Sequence, residues 1–197
     1  MPLTAGANRR SQLKKQYWPD EQEWDGMGSG WFKSPRTLPL ILALLSAKEL
    51  TAGRDISRVY LELLARHMDG GVIEVGNESE HAYAAGYTGG RAVRTWYERM
   101  QLLEDLGFIK SRRIGSQRYK LVLIVDPIAA VTGLRKEGRV PDEWWEAYRL
   151  RLLETKEADV DYLGQLASVS AAADAPKRAA LPVQGSTDVQ LALRKQR

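Results

Sequence analysis

The chain has 197 residues, of which 44% are hydrophobic and 27% are charged, and these proportions predict a folded domain of ordinary size with additional elements and tails. Its formal net charge of +4 is a modest basic excess, which keeps nucleic acid open as a partner without requiring it. The absence of cysteine excludes disulfides, thiolate catalysis and cysteine-ligated metal sites.

Residues 1–33 are polar, with scattered tryptophan and glycine and no helical or strand period, so we expect a flexible, solvated arm. Residues 34–54 are predicted to hold one helix over 37–50, with Thr37 as its cap and Pro39 in its first turn. This helix is apolar nearly all round and should be buried. Its apolar run is too short to span a bilayer and lies far from the N-terminus, so we expect a cytoplasmic protein without a membrane partner.

Two further helices, separated by a short strand, are predicted next. Asp55 can cap a helix with a single apolar stripe, formed by Ile56, Val59, Tyr60, Leu63 and Leu64. The β-branched run over residues 72–75 predicts a strand. Asn77, with Glu80 at the capping-box position, begins a helix that extends through Tyr87.

The strongest helical signal in the chain covers residues 91–106 and follows a tight turn, Thr88-Gly89-Gly90. The inner stripe of this helix consists of Val93, Trp96, Tyr97, Met100 and Leu103. A β-hairpin is predicted after it, over residues 108–125.

The remaining chain divides into helices and a tail. Two helices are predicted within residues 127–163. The first begins with Asp126 as its cap and Pro127 at its first position, and the second, over 141–154, begins with an acidic first turn. Residues 164–197 are rich in alanine, serine, glutamine and proline, so we expect disorder there.

The order of these elements from Asp55 resembles the winged helix-turn-helix superfamily of DNA-binding proteins. The resemblance is carried by the turn Thr88-Gly89-Gly90, by the phrase Leu102-Leu103-Glu104-Asp105-Leu106-Gly107-Phe108-Ile109 and by the hairpin around Gly115. It implies a mostly α fold with a small β-hairpin, in which a winged helix over residues 55–126 is flanked by N- and C-terminal helices. It also implies double-stranded DNA as a partner.

A second resemblance covers most of the chain, from Trp31 to Glu154, and is to small proteins carried on bacterial plasmids and integrative elements. It rests on the phrases Lys33-Ser34-Pro35-Arg36-Thr37-Leu38-Pro39 and Val140-Pro141-Asp142-Glu143-Trp144-Trp145. It implies a transcriptional regulator or a maintenance factor of a mobile element. An accessory protein for replication or partition, binding repeated sites, is an alternative.

If the helix over 91–106 enters the major groove, its outward residues are placed to contact base edges: Arg91, Arg94, Thr95 and Glu98. The turn residues Thr88, Gly89 and Gly90 let the backbone approach a phosphate. The wing would track phosphates or enter the minor groove through Lys110, Arg112, Arg113, Ser116, Gln117, Arg118 and Lys120.

The charge of the chain is concentrated in this region. Between Thr88 and Lys120, eight basic and three acidic residues give a net charge of +5, above the +4 of the whole chain. Arg99 lies nearer the core edge and is expected to pair with Glu98 or Asp105. A charge run is also typical of a solvated face, and some winged helices bind proteins. A module that recruits or inhibits a protein complex, such as one of a mobile element, therefore stays open.

No catalytic, cofactor or metal site is predicted, and we expect a protein that is not an enzyme. The two histidines lie apart on different predicted helices, and His67 continues an apolar stripe, which favours a core histidine over a ligand or base. A homodimer is also expected, because DNA-binding proteins of this class commonly bind paired half-sites. Its candidate surfaces are the aromatic helix over 141–154 and the apolar helix over 37–50.

Overall fold

The computed structural model describes residues 5–17, 34–67 and 72–155, together with Pro19 and Phe32. These residues form a mostly helical structure with one small three-stranded antiparallel sheet, which confirms the expected fold class at that level. The elements are α1 (Ala5–Tyr17), α2 (Leu38–Ser46), α3 (Lys48–Thr51), α4 (Ser57–Arg66), β1 (Val72–Glu74), α5 (Glu78–Ala84), α6 (Ala92–Asp105), β2 (Ile109–Ile114), β3 (Gln117–Ile124), α7 (Pro127–Lys136) and α8 (Asp142–Thr155). Among the described residues, no helix is both long and apolar enough to cross a bilayer.

The sheet has the order β1-β3-β2, so β3 is its central strand. β2 and β3 form the predicted hairpin, with Ile109 opposite Ile124, and the register shifts near the tip, between Arg112 and Ile114. β1 pairs with the other edge of β3 and places Val72 opposite Leu123. The isolated strand predicted over residues 72–75 is thus the third strand of the sheet.

The core lies between α2, α4, α6 and the sheet. All five residues of the predicted α4 stripe are buried. The backbone N–H of Ile56 donates to the carbonyl of Leu45, which ties the start of α4 to the end of α2. Tyr60 meets Phe108 edge to face, with ring centroids 5.3 Å apart, so α4 is also fixed to the strand that follows α6.

Helices α7 and α8 close the other side of the core. The Asp126 carboxylate accepts a hydrogen bond from the backbone N–H of Ile128 at 2.9 Å, which confirms Asp126 as the cap of α7. On α8, Trp145 is fully buried, and the indole N–H of Trp144 donates to the carbonyl of Leu40 at 3.1 Å. α8 is therefore fixed against α2.

The prediction that residues 1–33 lack regular structure is wrong for α1. The described side chains of this helix are mostly exposed, and they include Leu13 and Tyr17. A helix whose described side chains are mostly exposed gives little hydrophobic period, whereas glutamine, lysine, arginine and leucine all favour helix. Its propensity was therefore the only available signal.

The single helix predicted over 37–50 is instead two helices, broken at Ala47, whose backbone is extended (φ −64°, ψ 129°). The carbonyl of Leu45 accepts its hydrogen bond from Ile56 and not from the next helical turn. Thr37 precedes α2 but makes no capping hydrogen bond through its side chain. The break thus results from the contact between α2 and the start of α4.

Other predicted boundaries differ less. Helix α5 ends at Ala84 and not at Tyr87, because Gly86 adopts a left-handed conformation and the N–H of Tyr87 turns back to the carbonyl of Ala82. The predictions for residues 1–4, for most of 18–33, for the end of the α4 segment at 68–71 and for the tail over 164–197 lie outside the described residues.

Candidate nucleic-acid interface

Helix α6 has two chemically different sides. Trp96, Met100 and Leu103 are fully buried, so the predicted inner stripe packs into the core. The opposite side carries the four predicted base-contacting residues at helical spacing: Arg91, Arg94, Thr95 and Glu98. The side chains of Arg94 and Glu98 are 81% and 47% exposed, whereas Thr95 is half-buried. This side of α6 is therefore available to a ligand.

The turn before α6 is exposed at all three of its predicted contact residues, Thr88, Gly89 and Gly90. Gly89 has φ 80°, a left-handed conformation in which a side chain would be strained. Arg91 precedes the first turn of α6 and makes no capping hydrogen bond. Because the first N–H groups of a helix have no partner within it, this end of α6 can accept an anion.

Tyr97 connects three elements of the interface. Its hydroxyl donates to the Glu78 carboxylate in the first turn of α5, and it interacts with the backbone N–H of Arg118 in β3. Burial and the Glu78 carboxylate together raise the pKa of Tyr97 to about 12. Tyr97 therefore remains a protonated donor, and it fixes α5 and the hairpin relative to α6.

The hairpin is held on α6 by aromatic packing close to its turn. Tyr119 of β3 is buried against Trp96, with ring centroids 5.9 Å apart in an edge-to-face arrangement. Burial raises the pKa of Tyr119 to about 12. The Arg118 guanidinium carbon lies 5.1 Å from the centre of the Tyr119 ring. The hairpin is thus packed on α6 within two residues of the strand pair at its turn, Ile114 and Gln117.

Half of the eight basic residues between Thr88 and Lys120 make no ion pair or side-chain hydrogen bond within the described part of the chain. These are Arg91, Lys110, Arg112 and Arg113, and all four are exposed. The charge of Arg113 acts on the Tyr97 hydroxyl, so Arg113 lies close to α6. We call these four residues the free cations.

The other four basic residues have acidic partners. Arg118 lies 3.5 Å from Glu104, and Lys120 lies 3.0 Å from Glu74 and donates to the carbonyl of Val75. Glu98 pairs with the other two arginines, at 3.2 Å from Arg94 and 3.8 Å from Arg99. The pairing of Arg99 with Glu98 is one of the two that the sequence predicted. The basic residues of this region that have no acidic partner among the described residues therefore lie at the start of α6 and along β2.

The tip of the hairpin exposes an apolar residue that the sequence pattern alone did not single out. Ile114 is 54% exposed beside Gly115, whose φ of 60° forms the turn. Ser116 is exposed and Gln117 is half-buried. A β-branched residue next to the glycine of a predicted turn was the available signal, because an apolar side chain at a wing tip can insert into a minor groove.

The prediction that His67 is a core histidine is wrong. His67 is exposed, because α4 ends at Arg66 and the extended backbone of His67 leaves the apolar stripe. His81 is the buried histidine, and its Nδ1 lies 3.1 Å from a carboxylate oxygen of Glu62, which also pairs with Arg66. This contact joins α4 and α5. In the described part of the chain, no group of three or more potential ligands could hold a metal ion.

Comparisons of the chain with models of protein families, with curated proteins and with solved structures find no match. What this surface binds therefore has to be inferred from its own residues and geometry.

Proposed function

We propose that this protein binds double-stranded DNA in a sequence-specific manner through a winged helix-turn-helix. α4, α5 and α6 would be its three helices, β2 and β3 its wing, and β1 the third strand of its sheet. The observation that carries the proposal is that the free cations are exposed at the start of α6 and on β2, in a hairpin that packs on α6 through Tyr119 and Trp96. We do not expect catalysis or a cofactor.

In this proposal, α6 lies in the major groove. Arg91 and Arg94 belong to its N-terminal half, the part that reaches base edges in a recognition helix. The exposed turn at Gly89 and the open end of α6 are suited to a phosphate. Lys110, Arg112 and Arg113 of the wing would then follow the neighbouring phosphates.

Two measurements test the proposal. The first selects binding sites from a pool of random duplexes, and the second measures affinity for labelled duplex DNA at increasing salt concentration. The variant Arg91→Ala/Arg94→Ala should lose discrimination among duplexes. A matched control, Lys48→Ala/Arg139→Ala, removes the same charge from α3 and from the segment before α8, and it should retain discrimination.

Base contacts by α6 are supported if the wild-type protein and the control variant prefer the selected sites over random duplexes and Arg91→Ala/Arg94→Ala does not. Weak binding that only falls steeply with salt would reduce the proposal to backbone contact. If the wild-type protein does not bind DNA at low salt, the proposal is wrong. An acidic protein partner for the free-cation surface would then be the next hypothesis.

Within a mobile element, we propose a regulatory or maintenance role for this binding. A transcriptional regulator should protect its own promoter in a footprint, whereas a replication or partition accessory protein should protect several repeated sites near an origin. The distribution of footprints over the element therefore separates the two roles.

We further propose that two copies associate through α8. This helix exposes Leu150 and Leu153, at 65% and 50%, beside a groove of about 500 Å³ between α8 and α2. If two copies of α8 pair antiparallel about a twofold axis, Leu150 of one meets Leu153 of the other, and Arg151 meets Glu154. Arg151 and Glu154 already pair within α8 at 2.7 Å, so the two leucines would supply most of the contact, and the dimer would bind paired half-sites.

A further inference from the structure

We infer that Glu98 is a positioning residue that makes α6 selective for guanine. It would hold Arg94 ready to bind guanine and would oppose binding to duplexes that lack this base. The inference deepens the proposed DNA-binding function and rests on it.

The ion pairs around Glu98 form a short chain that leads from the core edge to solvent. One carboxylate oxygen lies 3.8 Å from Nη1 of Arg99, whose side chain is only 17% exposed. The other oxygen lies 3.2 Å from Nε of Arg94, whose side chain is 81% exposed. The inner arginine thus lies beside the carboxylate without a hydrogen bond to it, and the carboxylate holds the outer arginine through a hydrogen bond.

The atom of Arg94 that Glu98 binds determines what remains free. The hydrogen bond engages Nε, on the side of the guanidinium group. Within the described residues, the Nη1 and Nη2 groups of Arg94 make no hydrogen bond. These two groups form the fork that matches the O6 and N7 acceptors of guanine in the major groove. Glu98 thus restrains Arg94 without occupying its base-binding edge.

The charge of Glu98 has a second consequence. A carboxylate in the centre of a DNA-binding surface repels phosphate and the carbonyl acceptors of thymine and guanine, but it accepts a hydrogen bond from the amino group of cytosine. Glu98 lies one helical turn beyond Arg94, so it faces a neighbouring base pair. The inferred site is therefore a guanine bound by Arg94 next to a cytosine that Glu98 tolerates.

The test is selection from random duplexes, followed by affinity measurements on the selected site and on a random duplex. For Glu98→Gln, we expect discrimination at the guanine and the neighbouring cytosine to fall by about tenfold. Its affinity for the random duplex should rise by about three- to tenfold, because one repulsive charge is removed. Arg94→Lys keeps the charge but removes the fork, so it should lose the guanine preference and keep the random-duplex affinity.

The matched control is Glu137→Gln, which removes an exposed carboxylate paired with Arg139 just after α7 and should change neither quantity. Thermal unfolding checks that Glu98→Gln remains folded. The inference is overturned if the selected site contains no guanine, or if Glu98→Gln is as selective as the wild-type protein. Either result would leave the proposed DNA binding in place. A wild-type protein that binds no DNA would overturn both, and the random-duplex measurement separates these cases.

Discussion

The hydroxyl of Tyr97, in the middle of α6, donates a hydrogen bond to the carboxylate of Glu78 in the first turn of α5. The same hydroxyl interacts with the backbone of Arg118 in β3. A single side chain therefore contacts both the helix and the hairpin that flank α6 in the proposed DNA-binding unit.

Replacing Tyr97 by phenylalanine should lower the free energy of unfolding by about 1–3 kcal/mol, because a half-buried Glu78 carboxylate loses its donor. Urea denaturation measures the change. Tyr83→Phe is the matched control, because Tyr83 lies on α5 but is 73% exposed, and its loss should cost little. Equal effects of the two substitutions would contradict the role assigned to Tyr97.

Stability should fall at alkaline pH. The pKa values of Tyr97 and Tyr119 are both raised to about 12 in the folded protein, above the value near 10 of an unperturbed tyrosine. Between pH 10 and 12 the unfolded chain loses these protons and the folded chain keeps them, so deprotonation favours unfolding. The stabilisation is complete below pH 10 and is lost as the pH passes 12.

This pH dependence can be measured by urea denaturation at several values from pH 9 to 12, with tyrosine ionisation followed by absorbance. In the variant Tyr97→Phe/Tyr119→Phe, stability should decline less steeply over the same interval. A decline as steep as in the wild-type protein would show that other groups cause it.

His81 should contribute to stability, whereas His67 should not. Replacing His81 by alanine removes a partner of the buried Glu62 carboxylate and leaves a cavity, so we expect a loss of about 2–4 kcal/mol in unfolding free energy. His67→Ala changes an exposed side chain and should stay within about 0.5 kcal/mol of the wild-type protein. Similar losses for both histidines would refute this distinction.

The free cations should dominate the salt dependence of DNA binding. Arg112→Ala/Arg113→Ala should reduce the slope of log affinity against log salt by about two, because each arginine is expected to neutralise one phosphate. Arg118→Ala/Lys120→Ala removes the same charge, but both residues are paired with acids, so the slope should change less. If both double variants reduce the slope equally, local pairing does not determine which residues bind phosphate.

The α8 surface should determine the oligomeric state. Leu150→Asp/Leu153→Asp should sediment as a monomer at micromolar concentration, where the wild-type protein is expected to be a dimer. Leu61→Asp places a charge on a leucine of α4 that is 39% exposed, and it should leave the dimer intact. A wild-type protein that sediments as a monomer would exclude this interface.

Local features of the chain could be predicted from the sequence because their partners lie a few residues away. The buried stripes of α4 and α6 follow from helical spacing, and the caps at Asn77 and Asp126 from bonds that reach only two residues along the chain. The hairpin of β2 and β3 follows from its turn in the same way. The exposed side of α6 could be predicted because it lies opposite the buried apolar stripe of the same helix.

Interactions between distant parts of the chain decided the rest. The break at Ala47 depends on a backbone bond to Ile56, and the third strand depends on the pairing of β1 with β3 across the whole of α5 and α6. The burial of His81 requires Glu62 on another helix.

The sequence by itself determined where the basic residues are concentrated and which face of α6 carries them. Only the tertiary structure decided which of these charges remain available, because Glu74 and Glu104 reach Lys120 and Arg118 only once the strands and α6 have packed. Ion pairs act over a few ångströms in space, and distances along the chain do not reveal which charges will meet.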